Sequence, residues 1–199
     1  MNHADWTRVP MLDGRHARLE PLQMAHIDGL RGAIGDGSLC NLGYAHVPSA
    51  KTMTAYVQDA LQEQAQGRAL PFAVLDADRN VVGSTRYYAL EEAVPRLSIG
   101  YTWYATWAQR TGVNTEAKLM LLTHAFERLG CISVAFETST LNNASRAAIA
   151  RIGATQEGVL RNHKRHPDGS PRDTVVFSII DAEWPGVKRA LQDRLDAHA

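Results

Sequence analysis

The stretch that most constrains this chain runs from Arg96 to Thr138. A β-forming run, Arg96 to Tyr104 (RLSIGYTWY), leads through a turn built on Gly112 into a helical run, Thr115 to Leu129. Apolar residues at Ala117, Met120, Leu121, Leu122, Ala125, Phe126 and Leu129 follow the i, i+3, i+4, i+7 spacing of a helix with one face on a core. Gly130 supplies a C′ stop, and Cys131 to Thr138 (CISVAFET) reads as a buried strand. Strand, helix, strand in that order is a βαβ unit, so its two strands should run parallel. The turn also hands a strand to a helix N-terminus, where backbone N–H groups lack intrahelical partners and the macrodipole is positive. Such a place suits a phosphate, with Arg110 as a cation beside it. A single glycine in a βα turn equally serves an ordinary connection, so local geometry alone leaves both readings open.

The rest of the chain frames that unit. Residues 1 to 10 read as a tail with Trp6 as its anchor. Arg15 to Leu22 alternates as a first strand, and Met24 to Ile34 reads as a helix broken by Gly35-Asp36-Gly37-Ser38. Ser38 to Pro48 shows no period and reads as a loop with some buried anchors. Ser49 is placed to cap a second helix, with Thr54 to Gln66 as its body and Gly67 as its stop. A meander follows: Leu70 to Leu75, a turn over Asp76 to Asn80, Val81 to Leu90, and a turn over Glu91 to Pro95. Beyond the βαβ unit, Asn142 to Ile152 forms a short helix that stops at Gly153. Glu157 to Lys164 and Arg172 to Ile180 are strands joined by the hairpin turn His166-Pro167-Asp168-Gly169-Ser170. Glu183 to Asp196 closes the chain as a helix. No repeat, low-complexity tract or linker divides it, so the expectation is one α+β domain over residues 1–199.

Bulk composition narrows the partners. At 199 residues the chain is long enough for one well-packed domain and short for two. Lys+Arg and Asp+Glu both number 21, so no net field draws it to nucleic acid or anionic lipid. Cys40 and Cys131 stand far apart with no CxxC pairing, which argues against a zinc ribbon or a disulfide framework. The N-terminus lacks a basic region followed by an apolar one, and no run approaches the ~18 apolar residues of a membrane span. The expected setting is the cytoplasm, as a monomer or homodimer.

Three motifs in order resemble those of the GNAT superfamily of N-acetyltransferases. Gln109-x-x-Gly112-x-Asn114 is similar to its acetyl-CoA signature, Gln/Arg-x-x-Gly-x-Gly/Ala, with Asn114 departing at the last position. Asn tolerates a left-handed backbone better than most residues, so the turn is expected to survive the change. Asn142-x-x-Ser145 followed by Ile149 and Gly153-Ala154 looks like the family's second block. Glu157-Gly158-Val159-Leu160-Arg161 with Asp173 is similar to the third, and Thr115-Glu116-Ala117 matches the branch resembling ribosomal-protein N-terminal (alanine/serine) acetyltransferases. The resemblance covers nearly the whole chain. It implies a mixed, mostly antiparallel sheet with helices on both faces, and acetyl-CoA as co-substrate.

Acetyl transfer to an amine needs a neutral amine, a donor for the oxyanion and a proton for the departing thiolate. The resemblance implies that Gln109, Arg110, Thr111, Gly112, Val113, Asn114 and Thr115 surround the cofactor's pyrophosphate. It also implies that backbone groups of Thr102, Trp103 and Tyr104, on a strand splayed from its neighbour, hold the thioester. Trp103 and Tyr104 are also what a strand uses simply to fill a core. Ser145 is the candidate for protonating the thiolate, because the place four positions later, where many GNAT enzymes carry Tyr, is Ile149; a plain helix-start hydroxyl is the alternative. Asn142 either bonds the pantetheine arm or caps the same helix. For the general base, Glu137, Glu157, Glu91 and His163 are conceivable, with His163 carried forward as the catalytic candidate and a water relay as the alternative. His163 and His166 form an H-x-x-H pair without a third ligand, so no metal is expected.

The acceptor is a primary amine, of a small molecule or a peptide. Gly35 to Pro48, with Asp36, Leu39, Leu42 and Tyr44, and the hairpin from Arg161 to Asp173 are the stretches that would wall its cleft. Cations at Arg161, Lys164, Arg165 and Arg172 would favour an acceptor carrying a carboxylate or phosphate. A GNAT-fold module that binds acyl-CoA without turnover is the competing reading. A nucleotide-phosphate enzyme is disfavoured, because neither a Gly-x-x-x-x-Gly-Lys-Ser/Thr nor a Gly-x-Gly-x-x-Gly loop occurs.

Overall fold

The computed structural model describes residues 3–35 and 47–197. The loop expected from Ser38 to Pro48 therefore lies almost wholly outside the described residues, as do Asp36, Leu39, Cys40, Leu42 and Tyr44. The elements are α1 (His3–Thr7), β1 (Leu12–Asp13), β2 (Ala17–Pro21), α2 (Ile27–Ile34, entered through a 3-10 turn at Met24–His26) and α3 (Met53–Ala65). Then come β3 (Ala69–Asp76), β4 (Val81–Glu91), β5 (Arg96–Tyr104), α4 (Gly112–Thr123), β6 (Ser133–Ser139), α5 (Asn143–Arg151), β7 (Thr155–Arg165), β8 (Pro171–Ile180) and α6 (Trp184–Asp196).

The strands form one eight-stranded sheet in the order β1-β2-β3-β4-β5-β6-β8-β7. Every neighbour pair is antiparallel except β5 and β6, which run parallel through Arg96↔Ser133, Leu97↔Val134 and Ser98↔Ala135. The crossover through α4 makes that pair parallel, as the βαβ reading requires. Side chains of β4 alternate between two helical layers. Ser84 and Arg86 face α3, where the Tyr56 hydroxyl donates to Ser84 Oγ at 3.3 Å. Thr85 and Tyr87 face α4, whose Leu121 carbonyl accepts from the Tyr87 hydroxyl at 2.6 Å. Phe72, Tyr87, Leu97, Ile99, Leu121, Leu122 and Phe136 fill the interior between these layers. The α+β architecture with helices on both faces is the one expected.

Several elements differ from expectation. Residues 3–7 form a short helix rather than a tail, with the Trp6 side chain buried as its anchor. The first long strand begins at Ala17 rather than Arg15, because the Glu116 carboxylate accepts the amides of Arg15, His16 and Ala17 at 2.9, 2.5 and 2.7 Å. Helix α3 starts at Met53 after Thr52; Ser49 and Thr52 bond each other reciprocally instead of Ser49 capping the helix directly. After Thr123, α4 widens into a π turn over His124–Arg128, one turn beyond the carbonyl that Tyr87 occupies.

Candidate functional site

Past Ser98, β5 and β6 part company. From Phe136 to Ser139, β6 pairs only with β8, while the β5 segment from Ile99 to Tyr104 keeps β4 alone as neighbour. One edge of that segment therefore has no strand to bond among the described residues. The segment also bulges: its register shifts between Ser84↔Trp103 and Arg86↔Gly100, and Tyr101 sits at φ 52. Trp103 and Tyr104 are buried, but Trp103 Nε1 and the Tyr104 hydroxyl have no hydrogen-bond partner among the described residues. Gly83 lets the strands approach here, since a Cβ on it would collide with the Trp103 carbonyl.

Helix α4 begins three residues earlier than its periodicity indicated. Thr111 is the N-cap, its Oγ1 accepting from the Val113 amide at 3.3 Å and donating to the Ala108 carbonyl at 2.7 Å. The amides of Gly112 and Asn114, in the first turn, have no intrahelical acceptor. Two expectations about this turn are corrected. Asn114 is helical, so no left-handed backbone is asked of it; that conformation falls on Arg110, at φ 63 and exposed. Gly112 is also helical, and its missing Cβ makes room for the His16 ring, whose Cγ would lie 2.7 Å from it. Gln109 Nε2 donates to the Tyr104 carbonyl at 3.1 Å, tying the turn back to the end of β5. Val113 packs into the core, and Thr115 is half-buried one residue beyond Asn114.

Across the gap, α5 starts at Asn143 with Asn142 as its N-cap. The Asn142 Oδ1 accepts the Ser145 amide at 3.0 Å, so capping belongs to Asn142 and uses the backbone of Ser145, not its hydroxyl. Ser145 is half-buried, and Ile149 is buried one turn on.

The base candidates fare unequally. Glu137 pairs with Lys164 at 2.6 Å, Glu91 with Arg96 at 2.6 Å, and Glu157 accepts from the Ser178 hydroxyl at 2.5 Å. His163 is exposed on β7, whereas His166 is buried in the hairpin turn. The expected cationic hairpin wall is also reduced. Lys164 has its partner in Glu137, Arg165 donates to the Gly169 carbonyl at 2.7 Å within its own turn, and Arg172 is buried; Arg161 remains exposed.

Sequence reasoning passed over three residues. Glu116 latches the Gly14–Ala17 segment to α4. Lys118, 6% exposed, donates to Thr102 Oγ1 at 3.2 Å, and that oxygen lies 2.7 Å from Thr85 Oγ1. No carboxylate pairs with Lys118 among the described residues, and burial pushes its ammonium down to about 7. Helical spacing to Leu121 and Leu122 was the available signal, since it puts Lys118 on the buried face. Arg86, 5% exposed, lies over the rings of Tyr101 and Tyr56 at 4.1 and 5.1 Å. The clefts flanking α4, one bounded by Arg15, His16, Glu116 and Gln192 and another by Leu12, Met120, His124 and Lys188, touch none of Thr102, Asn142 and Ser145.

Comparison with known proteins agrees with this fold. Residues 17–155 match the model of the acetyltransferase (GNAT) domain. The chain is 33% identical over 111 residues to a Bacillus subtilis protein provisionally named ribosomal N-acetyltransferase YdaF, across 56% of this chain and 60% of that relative's length. Among solved structures it is similar to a GCN5-related N-acetyltransferase from Brucella melitensis, at 29% identity and TM-score 0.84 over 94% of this chain and 86% of that one. A provisionally named acetyltransferase from T. thermophilus is 35% identical with TM-score 0.81, over 93% of this chain and 96% of that one. The chain belongs to the GNAT acetyltransferase family.

Proposed function

We propose that this GNAT-family protein is an N-acetyltransferase that moves an acetyl group from acetyl-CoA to a primary amine, by direct attack with both substrates bound. The observation that carries the reading is the release of β5 from β6 after Ser98, beside the open start of α4. The residues fit an acetyl-CoA molecule: a β5 edge with no strand beside it among the described residues for an extended amide arm, and the first-turn amides of α4 with Arg110 for the phosphates. When bound, acetyl-CoA supplies an activated thioester. Backbone groups of Thr102, Trp103 and Tyr104 then hold the carbonyl and stabilise charge developing on its oxygen. Ser145 provides a hydroxyl for the departing sulfur. The amine loses its proton through water, with exposed His163 as the side chain free to receive it; a free α-amino group (pKa ~8) needs little help near neutral pH.

A second reading keeps the binding and drops the chemistry. It is favoured by the occupied state of Glu137, Glu91 and Glu157, each already bonded within the protein. Thiol release from acetyl-CoA, followed across small amines and peptide N-termini, separates the two. Amine-dependent thiol release is the expected result; acetyl-CoA binding with no release from any amine sinks the transferase reading.

A further inference from the structure

Among the described residues the buried guanidinium of Arg86 lacks a partner that its burial calls for. It sits mid-strand in β4 and is 5% exposed, yet no carboxylate lies within ion-pair distance among the described residues, and its Nε is buried without a hydrogen bond. Glu63 on α3 feels its charge but bonds Arg68 through both oxygens, at 2.8 and 2.5 Å. A buried cation left unpaired is costly. The rings of Tyr101 and Tyr56 offset part of that through their faces, a contact that uses none of the N–H donors.

The surroundings are fixed in place. The Tyr56 hydroxyl donates to Ser84 Oγ at 3.3 Å and reaches the Tyr101 carbonyl at 3.5 Å, which ties α3 to both strands at this point. Tyr88 packs edge-on against Tyr101 at 5.4 Å, and its hydroxyl feels Glu137 and the second buried arginine, Arg172. Tyr101 itself is the bulged, φ 52 residue of the β5 segment released from β6. Arg86 therefore stands beside the stretch proposed to hold the thioester, on the sheet face away from Lys118 and α4.

We infer that Arg86 binds a carboxylate carried by the acceptor, so the acceptor is an amine of amino-acid type rather than a polyamine or an uncharged amine. A planar carboxylate matches the guanidinium fork in two parallel N–H···O bonds. This assignment rests on the acetyltransferase reading. It also moves the anion-recognising group from the hairpin, where Lys164 and Arg165 are already engaged, to the strand interior.

The test is thiol release with alanine, β-alanine, γ-aminobutyrate and Ala-Ala, each against its C-terminal amide. Wild type should favour the acids by about tenfold or more in kcat/KM. Arg86→Gln should abolish that preference through KM, Arg86→Lys should retain part of it, and acetyl-CoA affinity should not move in either. Arg172→Gln is the control. Equal use of acids and amides, preference for amides, or a preference lost only in Arg172→Gln overturns the inference and leaves the transferase reading intact. If Arg86→Gln does not fold, an Arg86→Lys variant with undiminished preference has the same overturning force. If no amine is turned over, saturation-transfer NMR of the same acids on the CoA-saturated protein decides. Binding lost in the Arg86 variants supports the anion site while the transferase reading fails, and binding that is absent or unchanged overturns the site.

Discussion

The Lys118 ammonium lies 3.2 Å from the Thr102 hydroxyl, so a helix behind the sheet reaches the strand that borders the candidate site with a buried cation. Desolvation lowers Lys118 from its ordinary 10.5 to about 7. Below about pH 7 the residue is charged whether folded or unfolded, and the folded chain carries the whole cost of burying it. Between about 7 and 10.5 the unfolded chain binds the extra proton, so this residue's contribution to stability rises with pH across that window.

Lys118→Met should therefore stabilise the protein at pH 6 to 7, on the order of 3 kcal/mol, and the gain should shrink toward pH 10. Denaturant unfolding of both proteins at several pH values measures it. A variant less stable at pH 6, or an equal difference at every pH, refutes the account of Lys118 as an uncompensated buried cation.

Acetyl-CoA should bind about tenfold or more weakly to Arg110→Glu, which reverses an exposed charge at the start of α4 without touching the core. Gly112→Asp tests the same place only together with His16→Ala, because any Cβ at Gly112 meets the His16 ring. Calorimetry on the folded variants gives the answer. Wild-type affinity in both misplaces the phosphate site.

Ser145→Ala should lower kcat about 100-fold while acetyl-CoA affinity and melting temperature stay near wild type. The structure isolates the hydroxyl: the α5 cap uses the Ser145 amide, which alanine retains. Unchanged turnover would remove Ser145 from the chemistry.

Glu116→Ala should cost about 3 kcal/mol or more, since it strips the acceptor from three backbone amides at once. Glu116→Gln keeps one acceptor oxygen and should cost less. Chemical denaturation checks the order, and equal losses for the two would show that the latch does not act through its oxygens.

Much of this was readable one segment at a time. The β5 run was placed at its observed ends, the parallel pairing followed from the crossover helix, and Asn142 beside Ser145 marked the start of α5, because period and turn chemistry are local properties. Other assignments needed contacts distant in sequence. The start of β2 depends on a carboxylate a hundred residues away, and the role of Gly112 on the ring of His16. Glu137 and Lys164 looked like separate resources until the antiparallel β6–β8–β7 order made them a pair.

By itself, then, the sequence determined most of the elements and the βαβ crossover, since these follow from backbone geometry and side-chain period. Only the tertiary structure decided which charged groups are satisfied. It seats Lys118 against Thr102 and Arg86 among tyrosines with no counter-ion among the described residues, while giving Glu91 and Glu137 theirs. Burial and pairing depend on which faces the fold brings together, and no single segment carries that information.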